Sequence, residues 1–177
     1  MIRIATTGPE SSGKTSLSLW LQNQLAQSRC IPEYARAYLS ESNGVYSASD
    51  LIHFAEQLER ELRTRETTDV MVADTDFYVL EIWFSEKFPG TINPIREYVQ
   101  RNSFDLYLLC APDLAWEPDP LRENPNDRDR LFERYEQALI RDGRQYAIIT
   151  GNGELRTRNA AAAIRRVFPE LLPPDRG

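Results

Sequence analysis

Residues 8–15 read Gly8-Pro9-Glu10-Ser11-Ser12-Gly13-Lys14-Thr15, a complete phosphate-binding loop of the form G-x-x-x-x-G-K-[ST]. Its context is the one the motif requires. Ile2 to Thr6 alternates like a short strand, and Ser16 to Gln27 carries helical periodicity through Leu17, Leu21 and Leu25. The backbone N–H groups of such a turn form an anion-binding nest, and the following helix adds the positive end of its dipole. Lys14 is then placed to reach the β- and γ-phosphates, and the Thr15 hydroxyl to ligate Mg²⁺. An ordinary Gly-rich strand-to-helix turn has no use for a lysine followed by a threonine. The loop from Gly8 through Ser16 (Gly8, Pro9, Glu10, Ser11, Ser12, Gly13, Lys14, Thr15, Ser16) is therefore read as a nucleoside-triphosphate site, with ATP the expected ligand.

Composition narrows the rest. A chain of 177 residues is most simply one domain with a real core, here residues 1–168 followed by a Pro-rich tail, 169–177, expected to fray. The formal charge of −6 argues against a nucleic-acid binder, whose affinity rests on concentrated Lys and Arg. Cys30 and Cys110 each sit in an apolar strand-like run and read as free core thiols in a reducing cytoplasm. No long apolar run and no signal-peptide core is present, so a soluble, cytoplasmic protein with no membrane partner is expected. The only histidine, His53, lies between apolar positions of a helical segment and reads as a packing or surface residue. A Ser/His/Asp triad elsewhere is thereby disfavoured.

Apolar runs alternate with helical stretches along the chain. Strands are expected at 2–6, 30–32, 70–73, 106–110 and 146–150, and helices over 49–65, 77–88, 94–101, 129–141 and 154–168. Ser47 and Ser49 are both candidate caps for the 49–65 helix. Residues 113–129 are polar, Pro-rich and too long for a bland connector, so they read as a lid loop. The pattern predicts an α/β fold, a five-stranded parallel sheet with helices on both faces. Ligands in such sheets bind beyond the carboxyl ends of the strands.

The residues at those ends carry the chemistry. Asp74 follows four apolar residues as a Walker-B carboxylate does, and is assigned to Mg²⁺ together with Thr15. Asp76 precedes Phe77 and also fits a helix N-cap. Glu33 leaves a strand next to the phosphate loop, where it can take a proton from an attacking hydroxyl or orient sugar hydroxyls. A salt bridge to Arg36, three residues on, is the structural alternative. Arg122 and Arg128 in the lid offer the charge that phosphoryl transfer needs neutralised, although locally paired loop residues would look the same. Trp116 stacks on a ring or packs under the lid. Tyr34, Tyr38, Tyr78 and Trp83 read as mainly core, with one or two able to line an acceptor pocket.

Several stretches together resemble one family. They are the phosphate loop, Pro32-Glu33-Tyr34-Ala35-Arg36, Ala73-Asp74-Thr75-Asp76, Pro112-Asp113-Leu114-Ala115-Trp116 through Asp119-Pro120-Leu121-Arg122, and Asp127-Arg128 before Leu131-Phe132. The set is similar to the ribosylnicotinamide kinase domain at the C-terminus of NadR proteins, over about residues 3 to 168. The resemblance implies ATP- and Mg²⁺-dependent phosphorylation of the 5′-hydroxyl of nicotinamide riboside, giving nicotinamide mononucleotide for NAD salvage. It implies Lys14, Glu33, Asp74, Arg122 and Arg128 as catalytic residues. It implies Glu33, Tyr34, Arg36, Asp74, Asp76 and Trp116 as acceptor-binding residues. Two departures stand out. The multidomain members carry an adenylyltransferase H-x-G-H signature with no counterpart here, so adenylation of the product is not expected. Their lid commonly reads D-G-x-R, where this chain has Asp119-Pro120-Leu121-Arg122, and Pro120 stiffens that turn.

Two rival readings stay open. One is a kinase of the same fold acting on another nucleoside, nucleotide or sugar; the other is a non-catalytic ATP-binding regulatory module, and a homo-oligomer is compatible with each. A GTPase switch is disfavoured because no N-K-x-D motif occurs. An AAA+ motor is disfavoured by length and by Asp74-Thr75-Asp76, where an Asp-Glu pair would be expected.

Overall fold

Ile2–Thr7 (β1) lies mid-sheet between Val70–Asp74 (β3) and Leu106–Cys110 (β4), with Ser28–Ile31 (β2) and Tyr146–Ile149 (β5) at the edges. The four pairings are all parallel. The computed structural model describes residues 1–64, 68–123 and 125–172. Every position of β3 and β4 is buried, as strands covered on both faces must be. Successive side chains take opposite faces. Val70 and Val72 pack with Lys14–Gln24 (α1) and Glu154–Val167 (α7), whereas Met71 and Ala73 meet Ala48–Arg63 (α3), Phe77–Lys87 (α4), Ile95–Arg101 (α5) and Arg128–Arg141 (α6). The expected doubly covered sheet is what the chain forms.

Differences from the sequence reading are local. Tyr34–Glu41 (α2) is a helix that the periodicity did not announce. It is short and buries only Ala35 and Leu39, so it has no stripe to detect. Of the two candidate caps, Ser47 serves: it forms a capping box with Asp50 at the start of α3. The first helix starts at Lys14 rather than Ser16, so the loop's last residues are already helical. Leu172 is buried against the α1 and α7 side, so the chain is packed beyond the point where fraying was expected. Arg65, Asn124 of the lid and tail residues 173–177 lie outside the described residues. Cys30 and Cys110 are free, and burial pushes both thiols up to about 11.

Asp76 ties β1 to α4. It is fully buried, and its Oδ1 accepts the Val79 N–H at 2.9 Å and the Thr7 hydroxyl at 3.2 Å. Its Oδ2 has no partner. Burial pushes this carboxyl up to about 7. Above the ordinary carboxylate range and below that value, the folded chain holds a proton that the unfolded chain has lost. Stability therefore falls as pH rises through this window. Asp76→Asn keeps an acceptor for Val79 and removes the titration. Urea unfolding should show the wild type losing on the order of 1–3 kcal/mol relative to Asp76→Asn between about pH 4.5 and about pH 7.5. Parallel stability profiles for the two proteins would refute the assignment.

Candidate functional site

The loop after β1 is pressed against the tip of β4. Gly8 has a φ of 126°, and a Cβ there would lie 2.7 Å from the Cys110 carbonyl oxygen. Gly13, with φ 77°, is the left-handed residue that opens α1, and a Cβ on it would sit 2.9 Å from Leu114 Cδ1. Both positions therefore require glycine. Within the loop, the Ser12 hydroxyl donates to Pro9 O at 2.8 Å, and Lys14 Nζ donates to Gly8 O at 2.9 Å and Pro9 O at 2.7 Å. The unpaired N–H groups at the start of α1 and the Lys14 ammonium face one cleft of about 240 Å³, lined by residues 8 to 16.

Two carboxylates share the space around Lys14. Asp74 pairs in register with Thr6 of β1 and is 5% exposed. Burial raises its pKa, while the Thr15 hydroxyl and the Lys14 and Arg36 charges pull it back. Its Oδ1 is buried without a hydrogen-bond partner. A hydroxyl beside an orphaned carboxylate oxygen is a hard-oxygen donor pair, and it fits Mg²⁺, which takes few protein ligands and completes its shell from phosphates and water. Glu33 lies two residues beyond β2, at the N-cap of α2, half-buried. Burial raises its pKa, opposed first by Lys14 and reinforced by Asp74. It also lines a second, largely apolar cavity of about 340 Å³ between α2, α3 and β2, so it marks the junction of two hollows.

The lid rests on the loop through Ser11, which has φ 53°. Ser11 Oγ accepts from Glu117 N at 3.0 Å and from Arg122 Nη1 at 3.3 Å, and Ser11 O accepts from Arg128 Nη1 at 3.3 Å. Charge pairs fasten the lid to the cleft rim, Arg36 with Asp119 and Lys87 with Glu123, while Arg130 of α6 pairs with Glu86 of α4 at 2.9 Å. The alternative Glu33–Arg36 bridge is not what Arg36 forms: its ion pair is with Asp119 of the lid. Hydrogen bonding to Leu121 N and to Arg36 holds Asp119 below the usual carboxylate range.

Arg36 and Arg122 line the cleft with Glu33 and Lys14. Asp76 does not join them: it is the fully buried cap of α4, and the acceptor role implied for it is corrected to a structural one. Tyr34 lines the second cavity instead, against His53 and Phe54. Trp116 is half-buried and packs 5.7 Å from the Arg128 guanidinium, outside the cleft lining. Arg128 itself spends its hydrogen bonds on Ser11 O and Leu114 O, as a strut under the lid. The cleft's far wall is Val79, Ile82 and Trp83 of α4, with Leu39, Leu131 and Tyr135. Of these, sequence reasoning weighs only Trp83, as mainly core but able to line a pocket; a wall that faces a ligand is as apolar as one that faces a helix. Arg156 was also not singled out. It is 5% exposed and bonds Ser12 O at 2.6 Å and Ala111 O at 2.7 Å, an arrangement with no local sequence signal.

A parallel sheet with a phosphate loop after its central strand, an acid at each neighbouring strand tip and a lid above defines a P-loop protein with a nucleoside/nucleotide-kinase-like fold. The chain belongs to the AAA domain family (AAA_28), whose sequence profile matches residues 3–156. That family name stands beside a sequence reading that disfavours an AAA+ motor; the match itself covers a P-loop domain. No curated protein sequence matches the chain. In fold it is similar to a NadR protein crystallised with NR (TM-score 0.79, 18% identity, 98% of this chain and 52% of that one). It is also similar to a NadR protein crystallised with NAD and AMP-PNP (0.74, 19%, 99% and 51%). Thymidylate kinase from Ehrlichia chaffeensis matches at 0.69 and 14%, over 93% of this chain and 97% of that one. The chain thus spans about half the length of the NadR chains. Among the described residues no helix is long and apolar enough to cross a membrane.

Because the Arg36–Asp119 and Lys87–Glu123 pairs are partly exposed, they contribute little to global stability, although each ties a lid residue to the cleft rim. Asp119→Asn should change unfolding free energy by less than about 1 kcal/mol. Tryptic cleavage at Arg122 should accelerate several-fold, and raising salt should speed cleavage of the wild type toward the variant's rate, since screening weakens exposed pairs. Equal cleavage rates at low salt would remove the latch.

Proposed function

We propose that this protein is an ATP-dependent kinase that transfers the γ-phosphoryl group to a small alcohol acceptor, the 5′-hydroxyl of nicotinamide riboside, giving nicotinamide mononucleotide. The observation that carries the reading is Glu33. It is a half-buried carboxylate of raised pKa beside Lys14 and Asp74, at the mouth of an aromatic-walled cleft. In this reading the loop amides and Lys14 hold the phosphates. Thr15 and Asp74 hold Mg²⁺, which would neutralise charge on the transferring group. Glu33 accepts the acceptor's hydroxyl proton, and its raised pKa brings it nearer the working pH of a general base. Arg122, fixed at Ser11, supplies positive charge over the loop. The rest of catalysis is alignment within a closed cleft.

Acceptor choice follows from charge. The cations at the mouth, Arg36 and Lys87, are already neutralised by lid acids. A phosphate-bearing acceptor would have to displace those acids. A cationic ring meets the Trp83 wall and the Glu33 charge without that cost. The NadR structures with NR and with AMP-PNP support the same donor and acceptor. The thymidylate kinase match, which runs nearly end to end in both chains, supports the alternative of a nucleotide acceptor.

A panel with labelled ATP tests the choice: nicotinamide riboside should be phosphorylated faster than ordinary nucleosides or thymidylate, and the reverse order would overturn it. Lys14→Ala that lost ATP binding, in a protein that never consumed any acceptor, would favour the regulatory-module reading. Glu33→Gln should lower kcat by about 10²–10⁴-fold with ATP affinity near wild type. Because Glu33 works deprotonated and its pKa is raised, the wild-type rate should climb with pH through a limb above the usual carboxylate range. That limb should vanish in Glu33→Gln.

A further inference from the structure

The guanidinium of Arg156, in the first turns of α7, gathers carbonyls from every segment around the phosphate loop. Nη2 donates to Ser12 O at 2.6 Å and to Ala111 O, beyond β4, at 2.7 Å. Nη1 donates to Asp113 Oδ1 at 2.9 Å, to Gly151 O at 2.9 Å and to Ile149 O at 3.2 Å. Asp113, at the root of the lid, also takes the Gly151 N–H at 2.6 Å. Nε is buried and has no partner, and a Cβ on Gly13 would lie 3.4 Å from it. A guanidinium this enclosed is costly to desolvate unless its donors are met, and here those on Nη1 and Nη2 are met by one carboxylate and four backbone oxygens.

We infer that Arg156 is a positioning residue for nucleotide binding, fixing the phosphate loop from beneath and joining it to the lid root and to the turn after β5. In a planar trans peptide, C=O and N–H point opposite ways. Pinning Ser12 O to Arg156 turns the Gly13 N–H away from α7, toward the cleft that Gly13 lines. The same contact seats the guanidinium, ion-paired with Asp113 at 2.9 Å, against the loop. The inference rests on the nucleotide site of the kinase reading, not on its acceptor.

Calorimetric titration of the full chain with ATP·Mg and with tripolyphosphate·Mg tests it, with Lys14→Ala as the reference for a lost phosphate site. Arg156→Lys keeps the charge but loses the fork. It should weaken both ligands by a similar factor, about tenfold or more, while the KM for acceptor stays within about twofold. Asp113→Asn, a milder change, should weaken both in the same direction by about two- to fivefold, which keeps the test open if Arg156→Lys does not fold. A folded Arg156→Lys protein that binds both ligands as the wild type does overturns the inference, as does a loss confined to ATP, which would assign Arg156 to the turn after β5 alone. Unchanged constants in Asp113→Asn also overturn it. Wild-type protein that binds neither ligand overturns the kinase reading, and this inference with it.

Discussion

No side chain fits between residue 8 and the carbonyl of Cys110. This single steric limit fixes the phosphate loop against the tip of β4 and makes the remaining geometry possible. With β1 flanked by β3 and β4, the loop emerges at the middle of the sheet, and its neighbours' tips deliver Asp74 on one side and the lid root at Asp113 on the other. Had the loop stood a side chain further out, the Ser12 carbonyl would be out of reach of Arg156. Lys14 would likewise be removed from the two acids that compete for its charge.

Charge is distributed so that most of the cleft's cations already have partners. Arg36 and Lys87 are paired with lid acids, and Arg130 is divided between Asp127 and Glu86. Lys14 is bonded only to neutral carbonyls, whereas Arg122 is held by the Glu117 carbonyl and Ser11 with the Glu117 carboxylate 3.8 Å away. Lys14 can therefore turn its charge toward an incoming anion. The lid is held to the rim by contacts that exposure and salt weaken, while the loop beneath is held by buried contacts that they do not. A rigid cradle under a loosely latched cover is the division of labour that a substrate-admitting cleft needs.

Asp74 and Asp76 show how two acids in one tripeptide take different work. Asp74, at the strand end, keeps an orphaned oxygen beside the Thr15 hydroxyl; Asp76, two residues on, is turned inward to cap α4. In sequence two local signals separate them, the apolar run that ends at Asp74 and the cap position of Asp76 before Phe77. Trp83 and Trp116 make the reverse pair. The one that looked like core lines the cleft, and the one that looked exposed enough to stack on a ligand packs with Arg128. Composition gives no direction to a side chain; packing does.

Sequence alone determined what local physics encodes. The glycines and lysine of the loop, the buried strands of continuous apolar residues, the Ser47 cap region and the long lid are each set by residues within a few positions of one another. The tertiary structure decided everything that depends on distant segments meeting: that Arg36 pairs with Asp119 rather than Glu33, that α4 forms the cleft wall, that a short helix follows Glu33, and that Arg156 reaches the loop across 144 positions. A buried charge takes whichever acceptors the fold brings within hydrogen-bonding range, and these lie far from it along the chain.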